Sequence, residues 1–407
     1  MMAAIAISGG LISRTAHAQV ANCKDVPNKV FVSGSSALQP AILNAPTAGK
    51  SIAQILAEDP TNPVTVVYQK PGSCVGVGAM VSGTDLTGTA QFWDVSLPTP
   101  ALGTCTMQTG DKADVGASDV FPTSCANITQ DLVNTAGLGD FSPFAQVMVF
   151  VVPGGSSATT ISAEAAYLTF GVGPTGGTQW DDPTLHFVRN NGSGTETMIG
   201  KAIKVDAGKW WGINTTNGAT GVAQTVSSGT GDKTIGIVST AEAQDPTYNT
   251  APASMHMLAF QAFNQTCAYY PDSTVSALDK RMVRDGHYEI WGPLHLLAKV
   301  TAGVATNPAA KLFTDIMTGK TQLAGAATEL IDLEIAKDEV PLCSMTVART
   351  AELGPMMSIQ PSCECYFEKK TTGTAPTGCK TCTTATQTTD CTGAGEKCNY
   401  GYCEVLP

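Results

Sequence analysis

The segment Val30-Phe31-Val32-Ser33-Gly34-Ser35-Ser36, running directly into Ala37–Leu43, decides how the chain is read. A β-branched and aromatic run favours a buried strand. Gly34 and the serines end it in a turn, and the Ala/Leu/Ile-rich stretch behind them suits a helix. Strand, polar turn and helix in that order make one βα unit of a mostly parallel sheet. The pattern recurs three times. Val64–Tyr68 enters Pro71-Gly72-Ser73 and then Val75–Val81; His186–Arg189 enters Asn190–Gly194 and then Thr195–Lys204; Ile235–Val238 enters Ser239-Thr240 and then Ala241-Glu242-Ala243. The fold class is therefore α/β. Each turn sets Ser or Thr hydroxyls and unpaired amides at a helix start, where anions are attracted. A serine there is also the ordinary N-cap, so the anion reading depends on several turns converging.

Working outward, 407 residues exceed one domain and suggest two lobes with an appendage. Hydrophobic residues make up 43% and charged residues 14%, which excludes a disordered chain. Lys and Arg number 23 against 34 Asp and Glu, a net −11 that repels nucleic acid and anionic lipid. Any anion site must be local, built from near donors that outweigh a screened distant field.

Met1–Ala18 reads as a signal peptide: Ala3–Ile12 is weakly apolar, and Thr15-Ala16-His17-Ala18 offers small residues before a cut at Gln19. Arg14 follows the apolar stretch instead of preceding it, as in a signal peptide truncated at its start. Lipid attachment at Cys23 is the rival, but Val20-Ala21-Asn22 is a poor lead-in, and a soluble mature form is favoured. No apolar run approaches the roughly 20 residues of a membrane-spanning helix. Thirteen cysteines, seven of them from Cys363 to Cys403, suit an oxidising compartment in the periplasm or outside the cell. An odd count leaves one thiol free, lipidated or intermolecular. Beyond Lys370 the text turns to Thr, Gly and Cys without apolar periodicity, a disulfide module at 370–407. The eight cysteines from Cys343 onward permit 105 pairings. The tail has no His, so disulfides are favoured over zinc, and no metal or cofactor is expected.

Three motifs in order, Ser33-Gly34-Ser35-Ser36-Ala37-Leu38, Gly116-Ala117-Ser118-Asp119 and Arg189-Asn190-Asn191-Gly192-Ser193-Gly194-Thr195, resemble the periplasmic phosphate-binding protein family of ABC importers. Gly236-Ile237-Val238 and Asp285–Trp291 add to the resemblance, which covers about 29–368 and leaves the cysteine tail outside. It implies a type II periplasmic-binding-protein fold, two α/β lobes joined by two crossover strands around a ligand cleft. The first lobe is then discontinuous, at 24–125 and 263–369, with the second at 126–262. Closure would be of the hinge type.

The resemblance also implies a site. Ser35, Ser36, Ala37 and Leu38 would supply amide and hydroxyl donors, and Ser73, in Gly72-Ser73-Cys74-Val75-Gly76, a further hydroxyl. Asp119 would accept a proton from the ligand. An ionised carboxylate has no donor, so it meets an anion favourably only where the anion still carries a proton, as phosphate does at neutral pH and sulfate does not. Arg189 would offer the planar fork suited to a tetrahedral oxyanion. Ser193, Gly194 and Thr195 would open the second-lobe helix against the ligand. Where the family carries an acidic residue after the arginine, this chain has Asn190-Asn191. Arg189 is therefore expected to lack a local carboxylate, and the site to tolerate a monoanion or organic phosphate better than the family at large.

The implied function is capture of a small oxyanion, phosphate foremost, for delivery to an ABC permease. A second class is a secreted surface or matrix protein that uses the cysteine tail for adhesion or scavenging. A phosphate-ester hydrolase is the third and weakest: His186, His256, His287 and His295 form no zinc motif, and Ser193 lacks the setting of a G-x-S-x-G nucleophile. Trp210-Trp211 reads as packing with one ring exposed.

Overall fold

The computed structural model describes residues 22–45, 49–215, 217–229, 231–323 and 329–406; the expected signal peptide lies outside them. All four βα units form. Lys29–Gly34 leads to the helix Leu38–Leu43, Thr65–Gln69 to Ser73–Ser82, His186–Val188 to Gly194–Ile203, and Ile235–Ser239 to Thr240–Ala243. Lys29–Gly34 lies between Thr65–Gln69 and Val115–Ser118, parallel to both, so its buried Val30 and Val32 reach covered faces. Thr89–Asp94 and Ala101–Thr106 extend one edge antiparallel; on the other side His295–Thr301 pairs antiparallel with Val115–Ser118, completing an eight-stranded sheet with Val304–Ala305 and Leu138–Phe141.

The second sheet is organised by Phe144–Pro153, whose ten residues are all buried, as a near-continuous apolar run requires. It pairs antiparallel with Ile235–Ser239, Met255–Met257, Trp291–Pro293 and Val340–Pro341. Ile235–Ser239 continues in parallel to His186–Val188, and that strand to Ile213–Asn214. Separate apolar cores lie under the sheets, one around Phe150, Phe170 and Ile237, the other around Leu38, Phe144 and Phe313. Two α/β lobes are the architecture of the type II periplasmic-binding-protein fold, here followed by a disulfide-rich C-terminal region.

The lobes are joined where Phe141 passes through Ser142-Pro143 to Phe144, and where Pro293 passes through Leu294 to His295. The passages lie side by side, the Leu294 amide donating to the Phe144 carbonyl at 2.8 Å. The expected changes of lobe at 125 and 262 fall elsewhere. Leu138–Phe141 belongs to the first sheet, and the chain returns to that sheet only at His295. Short-strand periodicity shows that a strand exists, not which sheet it joins. The helix Glu364–Thr372 leads into the tail and is capped at Gly373.

Six disulfides form: Cys23–Cys105, Cys74–Cys125, Cys343–Cys363, Cys365–Cys379, Cys382–Cys398 and Cys391–Cys403. Cys23 is therefore committed to Cys105 and unavailable for a lipid. The odd thiol is Cys267, exposed. The helix that leads into the tail is tied to the body by Arg284, whose Nη2 and Nη1 each reach a carboxylate, Glu364 and Glu368, at 3.1 Å. No helix among the described residues is long and apolar enough to cross a membrane.

Candidate functional site

The site is built where turns of the two lobes meet. On the first lobe, Ser35 ends the strand Lys29–Gly34; its amide donates to the Ala117 carbonyl at 2.8 Å, and Tyr68 fixes the turn by donating through its hydroxyl to the Ser35 carbonyl at 2.6 Å. Ser35 Oγ accepts from the Leu38 amide at 3.0 Å and donates to Asp119 Oδ1. Two amides expected to serve a ligand, those of Ser35 and Leu38, are thus engaged within the protein. Ser73 opens the helix Ser73–Ser82, donates to Asp119 Oδ2 at 2.9 Å and accepts from the Asp119 amide at 3.2 Å. Cys74, bonded to Cys125, pins this turn to the segment that follows Asp119.

Asp119 is 2% exposed and collects two serine hydroxyls. Burial raises its pKa, against the lowering effects of the serines, Arg189 and His295. A hydroxyl rotates freely about its C–O bond. A protonated oxyanion reaching Asp119 could supply the proton that a serine now gives, freeing that hydroxyl to donate to the anion.

The second lobe contributes Arg189 at the end of its strand. The side chain is 4% exposed and spans the lobes, Nη2 donating to Ser36 Oγ at 2.8 Å, while Nε and Nη1 are buried without a partner. Ser193 is the N-cap of Gly194–Ile203, accepting from the Glu196 amide at 3.4 Å. Its hydroxyl does here what a capping serine ordinarily does. Gly194 and Thr195 are buried beside it. A Cβ on Gly194 would lie 2.4 Å from Ser73 Oγ and 2.6 Å from Asp119 Oδ2, so glycine is what lets this helix meet the first lobe. The Cys74 amide donates to the Gly192 carbonyl at 2.9 Å. Ser35, Ser36, Ala37, Leu38, Ser73, Asp119, Arg189, Ser193, Gly194 and Thr195 are all buried, and the contacts among them draw the lobes closed.

Three further residues belong to this neighbourhood. Glu196 and Glu242 each have a pKa raised to about 7 by burial, offset in part by Arg189. The Arg189 backbone amide favours the charged form of Glu196, while Glu242 accepts from Ser239 Oγ. Lys70 is partly buried, which lowers its pKa, with Glu242 acting against that and Arg189 adding to it. Arg189 is thus not without carboxylates: Glu242, Asp119 and Glu196 all favour its charge, against the desolvation that lowers its pKa. They come from elsewhere in the chain, so the Asn190-Asn191 departure did not reveal them. A legible signal was present, since Ser193-x-x-Glu196 and Ser239-x-x-Glu242 share one capping-box spacing.

Arg189, Asn190, Asn191, Gly192, Glu196, Trp210 and Asn214 face a cavity of about 530 Å³ on this side of the cleft. His186 instead packs its ring against Phe170.

No family model and no curated protein matches the chain. Among solved structures, it is similar to a high-affinity periplasmic phosphate-binding protein bound with phosphate, at 14% identity and a TM-score of 0.48, over 77% of this chain and 90% of that one. It is similar to an ABC-type phosphate transport receptor from Vibrio cholerae at 14% identity and 0.45, over 76% and 99%. A phosphate-binding protein from Stenotrophomonas maltophilia matches at 14% and 0.45, over 77% and 90%.

Proposed function

We propose that the chain is an exported solute-binding protein that closes its lobes on a small oxyanion, phosphate, and presents it to an ABC-type permease. The carrying observation is the pairing of Asp119, buried and bonded to Ser35 and Ser73, with an equally buried Arg189 whose Nε and Nη1 are unpartnered. Buried guanidinium donors need an acceptor, and a tetrahedral oxyanion between the lobes would supply one. The carboxylate opposite requires that the anion and Asp119 hold one proton between them. Phosphate can bring that proton at neutral pH; sulfate cannot.

The test is calorimetric titration of the anion-stripped protein with phosphate and then sulfate at neutral pH, repeated on Asp119→Ala and Arg189→Ala. Phosphate-selective binding lost in both variants supports the reading. Absence of binding to either anion, or binding indifferent to both substitutions, overturns it.

The disulfide-dense C-terminal region supports a second reading, a surface protein whose tail serves adhesion or assembly. Cell fractionation separates the two: free periplasmic protein favours the receptor, and protein held on the outer surface favours adhesion.

A further inference from the structure

Past the first-lobe helix Leu330–Ala336, whose Leu333 sits in the core around Leu38 and Phe313, the chain makes a third passage between the lobes and enters the second sheet as Val340–Pro341. Lys280 of the second lobe holds this passage: its ammonium is 1% exposed and paired with Asp272 at 2.9 Å and with Asp338 at 2.5 Å. The span that follows is closed covalently into a ring by Cys343–Cys363, and the pairing of Val347–Ala348 with Met357–Ser358 stiffens it.

The ring reaches each lobe with a charged side chain. Arg349, 5% exposed, lies over the Trp291 ring at 4.3 Å and donates through Nη1 to the Glu289 and Trp291 carbonyls of the second lobe at 3.2 Å. Three residues on, Glu352 Oε2 accepts at 3.1 Å from the Phe121 amide of the first lobe, two residues past Asp119. A Cβ on Gly292 would stand 3.4 Å from Glu352 Oε1 and 3.5 Å from the Asp119 carbonyl oxygen, so the ring, the Asp119 turn and the end of a second-lobe strand meet at one point. The helix Glu364–Thr372, anchored at its start by Cys363, repeats the arrangement. Glu364 and Glu368, four apart, face Arg284 of the second lobe, while Tyr366 and Lys370, four apart on the other side of the helix, reach Asp332 of the first at 2.7 and 3.0 Å.

We infer that residues 343–372 form a staple across the hinge that fixes the angle at which the lobes stand closed, and that Glu352 is the residue through which the staple positions the Asp119 turn. Crossover strands alone leave two lobes free to rotate about them. A stiff ring and a helix, each bonded to both lobes, keep all their links only near one angle. Every link lost on opening therefore favours the closed arrangement by its own energy. Glu352 does not touch the anion; it acts through the Phe121 amide on the backbone that carries Asp119. The expected effect on affinity rests on the reading of the cleft as a phosphate site, whereas the expected effect on shape does not.

The test compares the full chain with Glu352→Ala, Glu352→Gln and Asp332→Ala, by small-angle scattering without anion and by calorimetric titration with inorganic phosphate. Glu352→Ala should enlarge the anion-free particle and lower phosphate affinity about ten-fold, and Glu352→Gln, which keeps an acceptor for the Phe121 amide, should restore both. Asp332→Ala cuts the link at the helix, on a partly exposed side chain, and should enlarge the particle in the same direction, so the staple can be read even where Glu352→Ala does not fold. Anion-free particles of wild-type size in the alanine variants overturn the staple. A lower affinity in Glu352→Ala that Glu352→Gln does not restore overturns the positioning role. A wild type that binds no phosphate, with both alanine variants enlarged, overturns the phosphate reading and leaves the staple standing.

Discussion

Arg189 of the second lobe donates through Nη2 to Ser36 Oγ of the first at 2.8 Å, a contact that both closes the cleft and orients the guanidinium within it. Ser36 therefore acts on Arg189 without being the main charge. Ser36→Ala should weaken phosphate binding by about ten-fold, the worth of a hydrogen bond to a charged group. Ser36→Thr, which keeps the hydroxyl, should restore most of the loss by calorimetry.

On the proposed function, Asp119 should set which anion is accepted. Asp119→Asn preserves shape but adds a donor, so phosphate affinity should fall by about 10- to 100-fold. Sulfate affinity should hold or rise, because the carboxylate that repels it is gone. A parallel fall for both anions would show that Asp119 serves only to hold Ser35 and Ser73.

Gly194 allows the second-lobe helix to approach Ser73 and Asp119. Gly194→Ala must displace a serine hydroxyl and a carboxylate that are both buried, an overpacking effect of about 1–3 kcal/mol. The strain exists only when the lobes are together. Small-angle scattering with phosphate should show a more open particle than the wild type, while the melting temperature without anion stays close to normal.

Burial raises Glu242 to about 7 from an ordinary 4.5. A folded value above the unfolded one means that this group's stabilising contribution is complete below about pH 4.5 and lost as pH rises through about 7. The span corresponds to roughly 3 kcal/mol. Melting temperature should fall between about pH 5 and pH 8, and Glu242→Gln should remove part of that fall. A wild-type profile flat across the window contradicts the assignment.

With twelve cysteines paired and Cys267 exposed, the native chain should react with one equivalent of a thiol reagent, and Cys267→Ser with none. Two or more reactive thiols would show that a bridge is missing.

Much of this was legible in the sequence, and for definite reasons. Strand-turn-helix periodicity is local, so Val30–Ser36 and Ile235–Thr240 announce themselves. The serine turns were legible because turn motifs carry their own spacing. What stayed hidden depends on long-range placement. Leu138–Phe141 reads as a short strand in either lobe, and only its pairing with His295–Thr301 assigns it. Capping-box spacing places Glu196 and Glu242 at helix starts, but nothing local in the sequence shows that both are buried. The partner of Cys74, 51 residues on, cannot be inferred from spacing. Trp210, read as packing, does contact Phe170, yet its buried indole N–H is unpartnered beside the cavity.

Cys74 is bonded through sulfur to Cys125 and through its amide to Gly192 of the opposite lobe. The first lobe's half of the site is thus shaped during oxidative folding, before any encounter takes place. On the proposed function, capture would be an ordered event, with the anion resting on a ready-made template and the second lobe following. Release would then follow how often the lobes part, and reduction of this one bridge should loosen the template and hasten it.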